Sequence, residues 1–190
     1  MIKIASRKSF STYCAEHVTP LEVAFMQKLF ILRSFSGLTR FFRGISQLGN
    51  GSLWWISGLI LLGIGSVQTR WAVLAAAIAV GLSVSLFMVL KKLISRPRPC
   101  DVWLDIPCLM APPDRFSFPS GHTMTAFAVY AAYAEMLPGS AAIFLPVAIL
   151  MGLSRVVLGL HYPTDVLVGA LLGTAIGRTI ATAVLAMLAV

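Results

Sequence analysis

Residues 121–163 read GHTMTAFAVYAAYAEMLPGSAAIFLPVAILMGLSRVVLGLHYP and carry the strongest indication of the fold. Two apolar runs, 121–137 and 141–160, have the length of membrane-crossing helices and are separated by the pair Pro138-Gly139. A proline-glycine pair ends a helix, and the proline that closes the stretch presets the first turn of another. The pattern predicts two transmembrane helices joined by a tight turn and followed at once by a third.

The rest of the chain extends this pattern to five predicted transmembrane helices. They cover residues 52–67, 71–93, 121–137, 141–160 and 164–190. Hydrophobic residues make up 58% of the 190 residues and charged residues only 12%, which excludes an ordinary soluble domain. One crossing needs roughly 20 helical residues, so the length permits about five or six crossings. We therefore expect an all-α fold, a polytopic transmembrane helix bundle that forms a single domain over residues 1–190.

The amino-terminal part, residues 1–50, is basic and more polar than the rest. Within residues 21–42, charged side chains recur at intervals of one or two helical turns, at Glu22, Lys28, Arg33 and Arg40. This spacing favours an amphipathic helix in the membrane interface. A sixth crossing with its charges turned into the bundle is the alternative. The net charge of +8 indicates anionic lipid as the partner and not nucleic acid, because the basic residues lie at predicted membrane edges or within motifs.

Three polar clusters interrupt the apolar sequence. They are KKLISRPRP (91–99), PSGH (119–122) and SRVVLGLHYPTD (154–165). Counted from the polar loop before the second cluster, the chain crosses the membrane over residues 121–137, returns over residues 141–160 and emerges at His161 on the starting side. The clusters therefore share one membrane face, with or without a sixth crossing. Ionisable groups beside a membrane are costly, so these clusters are candidates for a functional site.

The second cluster has the features of an anion site. Ser120 follows a proline and precedes a helical run, so it occupies an N-cap position and leaves the amides of Gly121 and His122 free at a helix start. The positive end of the helix dipole, together with a glycine that allows close approach, suits a phosphate group. A capping serine beside an incidental histidine explains PSGH equally well.

Three cations belong to the first and third clusters. Lys91, Arg98 and Arg155 together supply positive charge for a phosphoryl group, and an arginine binds two oxygens at once. Each also has a structural explanation. The lysine can extend from a helix end to the interface, Arg98 can cap a proline-rich loop, and Arg155 can pair with Asp165. Arg155 is the hardest to explain in this way because it lies within an apolar run.

His161 and Asp165 are four residues apart across a predicted helix start. This spacing allows the carboxylate to fix the imidazole tautomer and to stabilise the imidazolium, while the other ring nitrogen attacks phosphorus. A structural hydrogen bond between the two side chains is the alternative. His122 arrives from another helix as a proton donor to the leaving oxygen, so the roles of nucleophile and general acid are both filled.

The three clusters together resemble the signature of the type 2 phosphatidic acid phosphatase superfamily. The matching residues fill every position of that signature: Lys91-x6-Arg98-Pro99, Pro119-Ser120-Gly121-His122 and Ser154-Arg155-x5-His161-x3-Asp165. The resemblance implies a metal-independent lipid phosphatase without a cofactor. It makes His161 the nucleophile that forms a phosphohistidine, Asp165 its orienting residue and His122 the general acid. It assigns phosphate binding to Lys91, Arg98, Ser120, Gly121 and Arg155.

The same resemblance bears on substrate and location. Bacterial members act on undecaprenyl diphosphate, phosphatidate, phosphatidylglycerophosphate and similar lipids, which implies a phospholipid or prenyl-phosphate substrate. Some members pass the phosphoryl group to another lipid, so a lipid phosphotransferase is the nearest alternative, and a lipid-binding membrane protein without activity is a further one. We expect the inner membrane of a bacterium. The family pattern favours an outward-facing site, whereas the positive-inside rule applied to five spans favours a cytoplasmic one.

The chain has three cysteines, Cys14, Cys100 and Cys108, and no CxxC pair, so a structural metal is not expected. Cys100 and Cys108 flank a short loop segment and could be bridged in an oxidising compartment. Two unpaired thiols are the favoured interpretation.

Gly169, Gly173 and Gly177 recur every fourth residue in the last predicted helix. Small residues at this spacing allow another helix to approach closely. Packing within the bundle is the favoured explanation, and a homodimer formed through these glycines is the alternative.

Overall fold

The computed structural model describes residues 22, 24–26, 28–29, 35–102 and 108–189. Every regular element in these ranges is a helix, which confirms the all-α fold. The helices are α1 (Ser36–Leu48), α2 (Ser52–Ile64), α3 (Val67–Ile94), α4 (Pro99–Val102), α5 (Gly121–Met136), α6 (Ala141–Val157) and α7 (Pro163–Leu188). The five predicted membrane helices correspond to α2, α3, α5, α6 and α7.

Local sequence explains the turns that flank α6. Gly139 has a φ of +81° and Gly159 a φ of +74°, a backbone conformation that glycine adopts without strain. The second of these turns ends α6 three residues earlier than predicted and leads the chain to His161. Pro163 then occupies the first turn of α7, where its missing amide hydrogen carries no cost.

The centre of the bundle is α5, which packs against α3, α6 and α7. Most of its residues are buried, and many of them are small: Ala126, Ala128, Ala131 and Ala132. Small side chains let three neighbouring helices approach one central helix. As a result, the amino-terminal end of α5, with Gly121 and His122, is surrounded by the other elements of the site.

The three glycines of α7 face α5. Gly169, Gly173 and Gly177 are buried. A Cβ atom added at Gly169 would lie 2.8 Å from the carbonyl oxygen of Ser120, and one added at either of the other two would overlap a backbone carbonyl oxygen of α5. Packing within the bundle is therefore confirmed. The alternative of a homodimer through these glycines is wrong, because α5 of the same chain already covers them.

Large apolar side chains of α2 and α3 point away from the bundle. Trp55 is 74% exposed, Leu59 66% and Leu93 74%, which suits a surface in contact with lipid. The segments Val67–Asp101 and Pro163–Leu188 are long and apolar enough to cross a membrane. The helices α2, α5 and α6 have 13, 16 and 17 residues, fewer than the roughly 20 that a perpendicular crossing needs. The number of crossings stays a prediction.

The helices observed in the amino-terminal region differ in their bounds from the amphipathic helix predicted over residues 21–42. The described residues of 22–29 are helical, Phe35 has an extended backbone, and α1 continues beyond the predicted end to Leu48. Thr39, Phe42 and Ser46 form the buried face of α1, which packs against α6. The 13 residues of α1 extend about 20 Å, less than a hydrocarbon core of about 30 Å. Because α2 has the same length, the interfacial position of α1 and the alternative of a sixth crossing both stay predictions.

Cys100 and Cys108 form a disulfide beside the short helix α4. Their Cα atoms are 5.2 Å apart, within the range of about 4.4 to 6.8 Å that a disulfide spans. The expectation of two unpaired thiols is therefore wrong. Their sequence spacing alone does not indicate this proximity. Cys14 lies outside the described residues.

Candidate active site

A cavity of about 300 Å³ lies at the end of the bundle where α3 and α6 end and α5 and α7 begin. Its lining includes Lys91 from α3, Asp114 from the loop before α5, Gly121 and His122 from α5, and His161 from the turn before α7. The turn between α1 and α2 completes the wall. The three polar clusters of the sequence thus meet at one end of the bundle, as the count of crossings predicts.

Lys91, Arg98 and Asp114 form the first set of side chains, here called the Asp114 group. The Nζ of Lys91 donates to Asp114 Oδ1 at 2.9 Å, and the Nη2 of Arg98 donates to the same oxygen at 2.6 Å. Arg98 is buried and also donates to the backbone carbonyl oxygens of residues 114, 116 and 160. Each of its three guanidinium nitrogens therefore has a protein partner. The group is held in place by hydrogen bonds and neutralised in part by its own carboxylate.

His161 lies between Arg98 and Asp165. Its Nε2 is 3.3 Å from Arg98 Nη1, and its Nδ1 is 3.5 Å from Asp165 Oδ2, a contact without the alignment of a hydrogen bond. An arginine only donates, so Nε2 is the ring nitrogen without a proton and Nδ1 carries the proton towards the carboxylate. This tautomer leaves the Nε2 lone pair facing the cationic part of the site.

Asp165 is buried and held from two directions. Its Oδ2 accepts a hydrogen bond from the amide of Tyr162 at 2.8 Å, and its Oδ1 accepts one from Arg96 Nη1 at 2.7 Å. The predicted contact between His161 and Asp165 is thus present. The alternative pairing of Asp165 with Arg155 is wrong, because Arg96 from the neighbouring loop occupies that position.

Ser120 is the N-cap residue of α5, as the sequence predicts. Its amide donates to the backbone carbonyl oxygen of Asp165 at 3.0 Å, which ties the second cluster to the third. Its hydroxyl lies 2.8 Å from the hydroxyl of Thr123 and caps no amide. The first amides of a helix have no acceptor within that helix, so those of Gly121 and His122 can bind an anion.

A second set of side chains, here called the Arg155 group, consists of Arg155, Ser46, His122 and Asn50. Arg155 is completely buried, and its Nη1 donates to the hydroxyl of Ser46. Its Nε and Nη2 have no hydrogen-bond partner among the described residues. A buried guanidinium with two unused donors is costly unless an anion binds there.

His122 and Asn50 form the other contact of the Arg155 group. His122 Nε2 is 2.8 Å from Asn50 Oδ1. An amide oxygen only accepts, so the Nε2 of His122 carries a proton in this arrangement. Both side chains line the cavity.

The pKa values of Asp114 and His161 depart from their ordinary values. Burial would raise the pKa of Asp114, but the hydrogen bond and charge of Lys91 and the charge of Arg98 outweigh it and lower the pKa. Burial, followed by the charges of Arg98, Arg155 and Lys91, lowers the pKa of His161 well below 6.5. Asp114 is therefore ionised at neutral pH, and His161 is neutral with its Nε2 lone pair available.

All eight predicted site residues lie at this end of the bundle, but side chains outside the predicted set also contact them, among them Ser46, Asn50, Arg96 and Asp114. Arg96 lies within the first polar cluster and Asp114 in the polar loop before the second, which is a weak signal. Ser46 and Asn50 are 109 and 72 residues from the side chains that they contact, and no local pattern indicates such contacts.

The chain is similar to a known protein family and to individual members of it. Residues 70–187 match the PAP2 superfamily. Over 148 residues the chain is 35% identical to decaprenylphosphoryl-5-phosphoribose phosphatase of Mycobacterium tuberculosis, a match that covers 73% of this chain and 76% of that protein. The match to the superfamily contains all three motifs and begins after α2.

Two solved structures have the same fold. The crystal structure of LpxE from Aquifex aeolicus superposes with a TM-score of 0.73 at 27% identity and covers 86% of this chain and 96% of its own. The first transmembrane PAP2 type phosphatidylglycerolphosphate phosphatase from Bacillus subtilis superposes with a TM-score of 0.71 at 29% identity and covers 90% and 87%. The similarity therefore extends over most of the bundle.

Proposed function

The chain belongs to the PAP2 superfamily and is a phosphoric monoester hydrolase, and from this premise we propose that it hydrolyses a lipid phosphate through a phosphohistidine on His161. One observation carries the proposal. A neutral His161 directs its Nε2 towards Arg98 and its Nδ1 towards Asp165, and it lines the same cavity as His122.

In the first proposed step, the Nε2 of His161 attacks phosphorus as the bond to the lipid alcohol breaks. His122 enters this step as an imidazolium and gives its proton to the leaving oxygen. Asp165 balances the positive charge that develops on the attacking ring. The buried cations Lys91, Arg98 and Arg155 and the first amides of α5 stabilise the charge on the equatorial oxygens.

In the second proposed step, water attacks the phosphorus of the phosphohistidine. His122, now neutral, takes a proton from the water, and the N–P bond breaks to release inorganic phosphate. His161 returns to the neutral form and His122 to the imidazolium. The side chains that make and break bonds in both steps are those of the motifs, and the proposal assigns no step to a metal.

A lipid substrate is supported by a second cavity of about 360 Å³ between α2 and α3. Apolar side chains line it, and it shares Gly51, Trp54 and Val80 with the polar cavity. A phosphate held by the motif residues would leave an acyl or prenyl chain next to this apolar space. The two adjoining cavities match the two parts of an amphipathic substrate.

The proposed substrate class is a lipid whose terminal phosphate is bonded to an alcohol or to another phosphate. The similar proteins are named for decaprenylphosphoryl-5-phosphoribose and phosphatidylglycerolphosphate, which have unlike chains but both carry a phosphate on a hydroxyl. Undecaprenyl diphosphate and phosphatidate complete the set of candidates. We expect the site to recognise the phosphate end of the lipid more strictly than its acyl or prenyl chain.

The test is phosphate release by the purified protein in detergent, with a chelator present, from each of the four candidate lipids. We expect His161→Ala to abolish release and His17→Ala, which changes the third histidine of the chain, to leave it unchanged. After rapid denaturation, the native protein should carry a base-stable, acid-labile phosphoryl group that His161→Ala lacks. Retained turnover in His161→Ala would overturn the mechanism, and transfer of the phosphoryl group to an added lipid would identify a phosphotransferase.

We also propose that the protein lies in the inner membrane of a bacterium with its active site facing outward. The disulfide between Cys100 and Cys108 supports this side, because disulfides persist in oxidising compartments. After reduction of intact cells, a membrane-impermeant thiol reagent should label both cysteines. Labelling only after the membrane is opened would place the site on the cytoplasmic side.

A further inference from the structure

The turn between α1 and α2 lies before the part of the chain that matches the superfamily, yet it contacts two residues of the motifs. Ser46, in the last turns of α1, accepts a hydrogen bond from Arg155, and Asn50, in the turn itself, accepts one from His122. The superfamily match begins at residue 70. These two contacts therefore come from a region that the three motifs do not include.

We propose that this turn is a fourth part of the active site, in which Asn50 is a positioning residue for the general acid His122 and Ser46 is a positioning residue for the phosphate-binding Arg155. The inference rests on the proposed function, because it takes the roles of His122 and Arg155 from it.

The backbone of the turn fixes Asn50 in place. Gly49 packs so closely that an added Cβ atom would overlap the side chain of Met151 and lie 3.0 Å from His122 Cδ2. Gly51 has a φ of +118°, in the region that favours glycine. The amide of Asn50 donates to the carbonyl oxygen of Gln47 at 3.1 Å. Asn50 is thus held between two glycines whose replacement would move it away from His122.

The hydrogen bond to Asn50 determines what His122 offers the substrate. Because Asn50 Oδ1 accepts, it keeps a proton on Nε2 and holds the ring against the cavity wall. When the bond between phosphorus and the leaving oxygen breaks, the imidazolium gives its other proton, the one on Nδ1, to that oxygen; the N–H bonding pair remains on Nδ1 as a lone pair, and Nε2 keeps its proton and its hydrogen bond to Asn50. Without Asn50, the ring can rotate or take the other tautomer, and proton transfer becomes slower.

Ser46 acts on Arg155 in a parallel way. Its hydroxyl occupies Nη1 and leaves Nε and Nη2 as the donors without a partner among the described residues. Those two nitrogens form the fork with which an arginine binds two oxygens of one phosphate. Fixing the third nitrogen therefore orients the fork.

The test compares two substrates that differ in their need for a general acid. Protonation assists the departure of the alcohol of dioctanoyl phosphatidate, whereas the nitrophenolate of p-nitrophenyl phosphate leaves without it. We expect Asn50→Leu to lower kcat/KM for the phosphatidate about tenfold or more and to leave the value for the aryl phosphate nearly unchanged. The ratio kcat/KM reports the step that breaks the P–O bond, so slow hydrolysis of a phosphohistidine does not mask the effect.

Three variants serve as controls. Asn50→Asp keeps an acceptor oxygen and should restore the native ratio between the two substrates. Gln47→Leu removes an exposed amide from α1, close to the turn, and should change kcat/KM for neither substrate. Asn50→Ala replaces Asn50→Leu if the thermal midpoint of the leucine variant shows that it does not fold.

Ser46→Ala should lower kcat/KM for both substrates equally and weaken inhibition by orthovanadate several-fold, because it disturbs phosphate binding and not proton transfer. Equal losses on both substrates in Asn50→Leu, or no loss, would overturn the inference for Asn50. Unchanged vanadate inhibition in Ser46→Ala would overturn it for Ser46.

His122→Ala separates this inference from the proposed function. A selective loss in His122→Ala without one in Asn50→Leu overturns the inference alone. An equal loss on both substrates in His122→Ala removes the general acid from the proposed function, and the role of Asn50 with it.

Discussion

The Asp114 group and the Arg155 group each contain a buried arginine, but the two guanidinium groups differ in how many of their hydrogen-bond donors have a protein partner. Arg98 has a partner for every guanidinium nitrogen and contacts the carboxylate of Asp114. Arg155 donates to one neutral hydroxyl, and no described carboxylate lies within ion-pair distance of it. One arginine is therefore part of the framework, and the other keeps donors for a ligand.

Because of this difference, substitution of the two arginines should affect the stability of the fold differently, although both bind phosphate in the proposed mechanism. A buried charge pair from which one partner is removed destabilises a fold, because the remaining group stays without compensation. A buried cation without a partner destabilises it already, and its removal relieves that cost. Substitution of either arginine should therefore lower activity, but only substitution of Arg98 should lower stability.

The largest effect is expected for Arg98→Ala. Loss of this side chain removes a cation beside His161 Nε2 and leaves the 114–116 loop without its main donor. We expect a loss of about 10³-fold in kcat/KM together with a lower thermal midpoint in detergent. Lys92→Ala, at an exposed position in the last turn of α3, is the control. A normal thermal midpoint in Arg98→Ala would contradict the framework role.

The next effect is expected for Arg155→Ala, which should lower kcat/KM about 10²-fold or more without lowering the thermal midpoint. The reason is that Arg155 has unused donors and no described ion-pair partner. Arg155→Lys restores the charge but not the fork, so it should recover only part of the activity. If Arg155→Ala unfolds at a much lower temperature than the native protein, the contrast between the two arginines is lost.

A smaller effect is expected for Asp114→Asn. The carboxylate accepts hydrogen bonds from Lys91 Nζ and Arg98 Nη2, two donors that a bound phosphate would also use. Removing its negative charge should strengthen inhibition by inorganic phosphate several-fold, measured at neutral pH where the lowered pKa keeps Asp114 ionised. Weaker inhibition would instead show that Asp114 orients the two cations for the ligand.

The smallest effect is expected for the pH dependence of stability, to which His161 contributes. The pKa of His161 is lowered in the fold, so below about pH 6.5 the unfolded chain binds a proton that the folded chain does not. Stability from this group is therefore present above pH 6.5 and falls as the pH decreases, by up to about 1.4 kcal/mol per pH unit. The thermal midpoint should fall less between pH 7 and 5 in His161→Asn than in the native protein. Identical pH dependence in both would contradict the lowered pKa.

The helices and the motif residues could be predicted because their signals are local. Apolar runs and the turns at Pro138-Gly139 and before Pro163 reproduce five helices. Counting the crossings brings Lys91, His122 and His161 to one end of the bundle, where they line one cavity. The roles of the site residues rest on the resemblance and remain predictions.

The errors arise where a prediction depends on neighbours distant in sequence or on the path of a loop. The helix predicted to end at residue 42 continues as α1 to Leu48, because its buried face packs along α6. Cys100 and Cys108 form a disulfide, although their spacing in the sequence does not indicate that they meet. The glycines of α7 exclude a dimer through their surface because α5 covers it.

The helical pattern, the three polar clusters and their meeting at one end of the bundle follow from the sequence alone, because periodicity and turn chemistry depend on consecutive residues. Only the tertiary structure decided which partner each charged group has. Arg96 binds Asp165, Asp114 joins Lys91 and Arg98, and the turn between α1 and α2 reaches Arg155 and His122. Such contacts follow from the packing of helices that are far apart in the chain, and no local spacing encodes them.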